Sequence, residues 1–297
     1  MKRSREDTLI SISTALKAYA AGDAFGVAYE FKEFDMVTDE LLPLEGWPYG
    51  GVSDDSLLTL LTLATIESSP KIAAEEFLRS LHVAAPHLRG LGPTTRHALG
   101  MSVKESEVHL IGKSNGGMMR TALAGLAFDV DDSQSRRDFV NQSVRTTHFS
   151  DEAIISAQIA AALFTHAVAD SDMKISQIIE EEIAASHNLS IELRELLVAH
   201  ENWKPPTEGI TLDPIETLFA FHFVASLNST VLGAYKDACL LKGDTDTVSA
   251  LAGSLVGARF GKESQFQSIP WLDDIKWDEI SALDSIIEKV YRKRIQV

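Results

Sequence analysis

The chain has 297 residues, 45% of them hydrophobic, which is enough for one large domain or two small ones around a sizeable core. Its formal net charge of −16 argues against a general nucleic-acid or anionic-membrane binder, because both need a basic face. The same charge leaves room for a nucleotide-like ligand held by backbone amides.

The N-terminal run Met1-Lys2-Arg3-Ser4-Arg5-Glu6-Asp7 turns acidic before any apolar stretch and offers no small-residue cleavage site, so it does not read as a secretion signal. Leu9, Ile12, Leu16 and Tyr19 then recur at helical spacing, with Ser4 and Asp7 placed for a capping box. The alanine-rich residues 15–24 predict a buried helix that carries Gly22-Asp23-Ala24-Phe25-Gly26, with Tyr29-Glu30-Phe31 beyond it. Asp23 in such a helix requires a partner, because a buried carboxylate without one is costly. A structural hydrogen-bonding role and a catalytic one are equally open to it.

Pro43, Gly46, Pro48, Gly50 and Gly51 predict irregular chain over 32–52. An acidic knot follows, Ser53-Asp54-Asp55-Ser56, at the head of the apolar helical run Leu57, Leu58, Leu60, Leu61, Ala64 and Ile66. A further helix is expected over 73–83. Gly90-Leu91-Gly92-Pro93-Thr94-Thr95-Arg96 reads as a loop that opens another, with Pro93 near its first position.

Lys113-Ser114-Asn115-Gly116-Gly117-Met118-Met119-Arg120 places paired glycines ahead of an alanine- and leucine-rich helix. Such a loop can turn its backbone N–H groups toward an anion, or be a plain turn. It lacks the Gly-Lys-Ser/Thr ending of a P-loop. Arg145-Thr146-Thr147-His148 follows the helix around Phe139 and precedes a long helix over 151–169; spacing alone makes His148 a surface or capping residue. Residues 170–199 are amphipathic and acidic, and Glu180-Glu181-Glu182 reads as a solvated face. The segment 203–214, with Pro205, Pro206, Gly209 and Pro214, is the best candidate for a boundary. Helical patterning resumes at once over 215–227, so a single domain over 1–297 is expected.

Cys239, the lone cysteine, falls in an apolar helical pattern and reads as buried packing. Next comes Lys242-Gly243-Asp244-Thr245-Asp246-Thr247, which runs into an apolar helix over 248–260. An ordinary N-cap would account for one such knot. Two of them, this one and residues 53–56, could meet in the fold and supply four carboxylates and two hydroxyls to one site. The tail ends in an amphipathic helix over 280–291. Few segments alternate with a period of two, and no short repeat is visible, so the fold class is all-α, a bundle of roughly a dozen helices. No apolar stretch reaches the length of a membrane span, and a soluble, cytoplasmic protein is expected.

Taken together and in order, these motifs resemble those of the ADP-ribosylglycohydrolase family. The residues that carry the resemblance are Gly22 to Gly26 with Glu30, Ser53 to Ser56, Ser114 to Arg120, Thr147-His148, and Gly243 to Thr247 with Gly253, Gly257 and Gly261. The resemblance implies an orthogonal helical bundle, a binuclear Mg²⁺ or Mn²⁺ site, and hydrolysis of the bond between ADP-ribose and an acceptor. By position it makes Ser53, Asp54, Asp55, Asp244, Asp246 and Thr247 metal ligands. It makes Asn115, Gly116, Gly117 and Met118 the lining of the diphosphate and puts His148 toward the ribose. Ser56 stands where the family often has Thr, Arg120-Thr121-Ala122-Leu123 lacks a usual proline, and Lys242 stands where a glycine is common.

The donor set consists of oxygens alone, which selects hard ions over zinc. Two such ions about 4 Å apart activate a water and clamp substrate oxygens. Negative charge nearby suits an oxocarbenium-like transition state. Glu30, Asp55 and Asp246 are the expected catalytic carboxylates, with Glu30 or Asp55 deprotonating the water or assisting departure of the acceptor. Expected partners are an ADP-ribosylated protein or an ADP-ribose-containing small molecule, with arginine, serine, a nucleobase or an ester as the acceptor. Two alternatives stand beside this reading: a two-metal nucleotide phosphohydrolase, and a catalytically silent ADP-ribose-binding member of the fold.

Overall fold

The structure is a computed structural model that describes residues 3–34, 36–186, 188–261 and 266–296. In chain order its helices are α1 (Arg5–Gly26), α2 (Asp54–Leu63), α3 (Pro70–Ala84), α4 (Pro93–Ala98), α5 (Gly116–Thr121), α6 (Ser133–Val144), α7 (Asp151–Val168), α8 (Ile175–Ala185), α9 (Ile191–Val198), α10 (Pro214–Leu227), α11 (Val231–Leu240), α12 (Thr245–Phe260) and α13 (Leu283–Ile295). Among the described residues the only strand-like pairing is an isolated bridge between Ile210 and Gly243. The all-α expectation holds.

The centre is built from helices that are apolar on every side, as interior helices must be. Every residue of α12 from Thr245 to Ala258 is buried, and so is every residue of α7 from Ala153 to Val168. α1 packs along α12 through small residues. A Cβ on Gly22 would come within 2.8 Å of the Ser249 carbonyl, and one on Gly26 within 2.5 Å of Asp246 Cα. Tyr235 of α11 lies across this seam, and its hydroxyl donates to the Ala18 carbonyl at 2.6 Å. Two further bonds fix the register: Ser254 Oγ donates to the Ala15 carbonyl at 2.8 Å, and Thr245 Oγ1 donates to the Gly26 carbonyl at 2.9 Å. The last turn of α1 therefore faces the first turn of α12, and Asp23 is brought beside Asp246.

The ends of α1 and α2 follow local chemistry. Ser4 caps α1 by accepting from the Asp7 amide at 3.0 Å, as its spacing predicts. Ser53 caps α2 by accepting from the Asp55 amide at 3.0 Å. Cys239 is buried and unpaired.

One expectation is overturned. Glu182 is fully buried rather than part of a solvated face. It accepts from Arg136 at 2.5 Å and from Arg137 at 2.8 Å, both on α6. Successive helical residues point about 100° apart, so three adjacent glutamates cannot share one face. Glu182 falls on the stripe of Ile178 and Ile179 that packs inward, while Glu180 and Glu181 face outward.

Candidate metal and substrate site

Three helix N-termini converge on the end of α1. Asp23 organises the first junction. Its carboxylate accepts from the Ser53 amide at 3.0 Å, the Ser56 amide at 3.1 Å and the Ser56 hydroxyl at 2.5 Å, which ties the head of α2 to α1. The side chain of Thr247 closes the gap to α12, donating to Asp55 at 3.1 Å. The two acidic knots thus meet. One oxygen each from Asp23, Asp55 and Asp246 lie within 4.8 Å of one another, and so do oxygens of Glu30, Asp244 and Asp246.

A strap missed in the sequence completes the site. The Ile210 amide donates to the Lys242 carbonyl at 3.0 Å and the Asp244 amide donates to the Ile210 carbonyl at 2.9 Å. Two residues on, the Leu212 carbonyl accepts from the Asn115 amide at 2.9 Å. Residues 210–212, inside the segment read as a possible boundary, therefore join the second acidic knot to the glycine loop. The Asn115 side chain adds a second link, donating to Asp244 and to Thr217 Oγ1.

Glu30, Asp54, Asp55, Asn115, Gly116, Asp244, Asp246 and Thr247 line one cleft, together with Gly90, Pro93, Thr95 and Leu212. Four of the expected residues do not line it. Ser53 is taken up by the N-cap of α2. Met118 is fully buried in the core. Gly117 and His148 lie one layer back: a Cβ on Gly117 would come within 3.1 Å of the His148 ring. His148 is buried beneath the glycine loop, bonded to Ser114 Oγ at 3.1 Å and Thr147 Oγ1 at 2.8 Å. Glu30 sits in the turn after α1, where the Phe31 amide donates to the Gly243 carbonyl at 2.8 Å. The Phe31 side chain is exposed, so its backbone rather than its ring anchors this turn. Lys242 extends to Glu33 at 2.9 Å.

Burial and crowding decide the electrostatics. Desolvation, then the neighbouring Asp246 carboxylate, pushes Asp23 up to about 7. The same two causes, with Asp54 and Asp23 added, push Glu30 up to about 9. Asp54, Asp55 and Asp244 are also raised well above the carboxylate range, burial being the largest cause and Asp246 the next. Among the described residues no Lys or Arg is paired with this cluster. A buried, oxygen-only cage of carboxylates without a counter-ion fits a hard divalent cation, which would reverse the sign of these shifts. A separate hollow between the first half of α1 and the C-terminal segment, lined by Leu9, Lys17 and Trp277, has neither clustered carboxylates nor an amide loop.

The sequence signal for Asp23 was its place in an apolar helix. Nothing in the sequence marked Leu212 or Thr217, and Thr95 was legible only as part of a helix start; all three join the site through tertiary contact. No helix is long and apolar enough to cross a membrane among the described residues.

The family described as ADP-ribosylglycohydrolase matches residues 5–296. ADP-ribosylarginine hydrolase Tri1 of Pseudomonas putida (strain GB-1) is 26% identical over 304 residues, covering 92% of this chain and 76% of that protein. A solved structure described as an ADP-ribosylglycohydrolase-related protein complex superposes with a TM-score of 0.70 at 24% identity. It covers 97% of this chain and 99% of that one, and the likeness is one of fold.

Proposed function

This chain belongs to the ADP-ribosylglycohydrolase family, and from that premise we propose that it hydrolyses the glycosidic bond between ADP-ribose and an acceptor at the cleft between α1, α2, α5 and α12. The observation that carries the reading is the meeting of two acidic knots nearly two hundred positions apart, beside a glycine loop. Asp54, Asp55, Asp244, Asp246 and Thr247 would hold two Mg²⁺ or Mn²⁺ ions, with Asp23 and Glu30 close enough to join them. Bound there, such ions supply Lewis acidity toward water and ribose oxygens.

The chain's own groups do the rest. Gly116, the first residue of α5, lines the cleft and would offer its backbone amide to the diphosphate, which lets an acidic protein hold an anion, whereas the Asn115 amide is engaged by the Leu212 carbonyl. Water oxygen bonds to the ribose anomeric carbon as the bond to the acceptor breaks. Glu30 or Asp55 takes the water proton and passes it to the departing acceptor, which restores the carboxylate. The surrounding carboxylates stabilise the positive charge that develops on the ribose ring.

The first linkage to test is ADP-ribosyl-arginine, since a relative at 26% identity bears that name. The experiment is a hydrolysis panel over arginine-, serine-, nucleobase- and ester-linked ADP-ribose, with Mg²⁺ and with Mn²⁺. Release of ADP-ribose from at least one substrate, lost on chelation, is the expected result. Release of inorganic phosphate instead, or no turnover of any linkage, refutes the reading.

A further inference from the structure

Arg120 is fully buried, and its guanidinium touches no carboxylate. It lies 4.2 Å over the Phe77 ring and donates to the Ser143 carbonyl at 2.7 Å, to Thr146 Oγ1 at 3.0 Å and to Thr147 Oγ1 at 3.1 Å. A buried charge compensated only by neutral groups is costly, so its position calls for an account. Beyond Thr147 the contacts continue in one line toward the cleft. Thr147 Oγ1 meets His148 Nδ1 at 2.8 Å, His148 Nε2 meets Ser114 Oγ at 3.1 Å, and Ser114 Oγ meets Thr94 Oγ1 at 2.9 Å. Ser114 lines the cleft beside Asn115 and Gly116.

The direction of each bond follows from the two ends. A guanidinium only donates, so Thr147 Oγ1 accepts from Arg120 and its own hydrogen is free for His148 Nδ1. This end permits His148 Nδ1 as an acceptor, and the Thr94 end requires it: Thr94 spends its hydrogen on the Leu110 carbonyl, so Ser114 donates to Thr94 and accepts from a proton on His148 Nε2. The nearby Arg120 charge disfavours a proton on Nδ1, and burial with that charge holds the imidazole neutral, its pKa pushed down to about 3. At the far end Thr94 Oγ1 donates to the Leu110 carbonyl at 3.0 Å and accepts from the Gly112 amide at 3.0 Å. Ser114 therefore accepts from His148 and keeps its hydrogen, which points to Thr94 or turns to the cleft. In the other tautomer that hydrogen would be consumed on Nε2, and Ser114 would show an anion only lone pairs.

We infer that Arg120 and Thr147 are positioning residues that fix the Nε2–H tautomer of His148, so that Ser114 serves as a hydrogen-bond donor to an anionic group in the cleft. The anion is the diphosphate if the function proposed above holds, and the inference rests on that reading for the ligand's identity. The tautomer stands apart from it.

The test uses the full chain with Mg²⁺. Long-range proton–nitrogen correlation spectra of histidine-labelled protein, with His148 assigned by H148Q, are expected to show one neutral Nε2–H tautomer at pH 7. A charged ring or an Nδ1–H tautomer overturns the inference whatever the ligand proves to be. Calorimetry with ADP-ribose then compares Ser114→Ala, Thr147→Val, Thr147→Ser and the Ser114→Ala/Thr147→Val double variant. Ser114→Ala and Thr147→Val are each expected to bind on the order of tenfold more weakly, the worth of one hydrogen bond to a charged group. Thr147→Ser should restore affinity, and the double variant should be no worse than Ser114→Ala alone, since the two act through one bond. Additive losses, or wild-type affinity in Thr147→Val, overturn it. Failure of the wild-type protein to bind ADP-ribose strikes the proposed function instead, and the tautomer measurement then decides whether this chain of bonds runs as inferred.

Discussion

Removing divalent cations should make the protein's stability fall as pH rises through neutrality. The cause is the cluster around Asp23. A carboxyl held at about 7 in the fold against 3.8 in the unfolded chain keeps its proton better folded than unfolded. Its contribution is therefore fully present below pH 4 and is lost as pH rises through 7, because the unfolded chain binds fewer protons in that window. At 1.36 kcal/mol per pH unit, the loss from Asp23 alone is about 4 kcal/mol. Glu30, held at about 9, extends the decline upward. For a chain of 297 residues, with an unfolding entropy of about 2.1 cal/mol/K per residue, that is a fall in Tm of roughly 6 °C. Thermal melts in EDTA between pH 5 and pH 8.5 sample about two thirds of that loss, a fall in Tm of roughly 4 °C from Asp23, because the rest has already gone below pH 5. Mn²⁺ binds the ionised carboxylates, so it should raise Tm far more at pH 8 than at pH 5.5. Asp23→Asn supplies the control: it should flatten the EDTA profile while weakening Mn²⁺ binding. A Tm in EDTA that is level or rising from pH 6 to pH 8, or a Mn²⁺ effect equal at both pH values, refutes the reasoning.

Three further outcomes are expected. Glu182→Gln leaves Arg136 buried without its counter-charge and should cost about 3–5 kcal/mol, roughly 5–8 °C in Tm; a chemical-denaturation loss under 1 kcal/mol would show the pair to be dispensable. Gly26→Ala sets a methyl within 2.5 Å of Asp246 Cα and of the Thr245 carbonyl, so it should lower Mn²⁺ affinity at least about tenfold with helical circular dichroism retained, and unchanged affinity in calorimetry would count against the α1–α12 junction as the builder of the site. Glu30→Gln removes a charge from the cleft while keeping its shape, and turnover should drop by about 10²–10⁴ with ADP-ribose affinity kept; wild-type turnover would make Glu30 a bystander.

The sequence by itself determined the helical class, because periodicity and alanine-rich composition are local properties of the chain. It also marked the residues able to do chemistry. Two aspartate knots at helix heads, a paired-glycine loop and a buried Asp23 are each legible from residue type and neighbours. Glu182 shows where that reading stops: three adjacent glutamates look like one solvated surface until the helix turns one of them toward Arg136 and Arg137. Tertiary structure alone decided that Asp23 brings a side-chain oxygen beside those of Asp55 and Asp246. It decided that residues 210–212 tie the second acidic knot to the glycine loop, and that His148 supports that loop from behind instead of lining the cleft. The physical reason is the same in each case. Periodicity and capping act over a few residues, whereas the contact of Gly26 with Asp246, or of Asn115 with Leu212, depends on how closely distant backbones approach. The first approach is set by the packing of α1 on α12 and the second by the segment ahead of α10 reaching the start of α5, and no short window of sequence contains either.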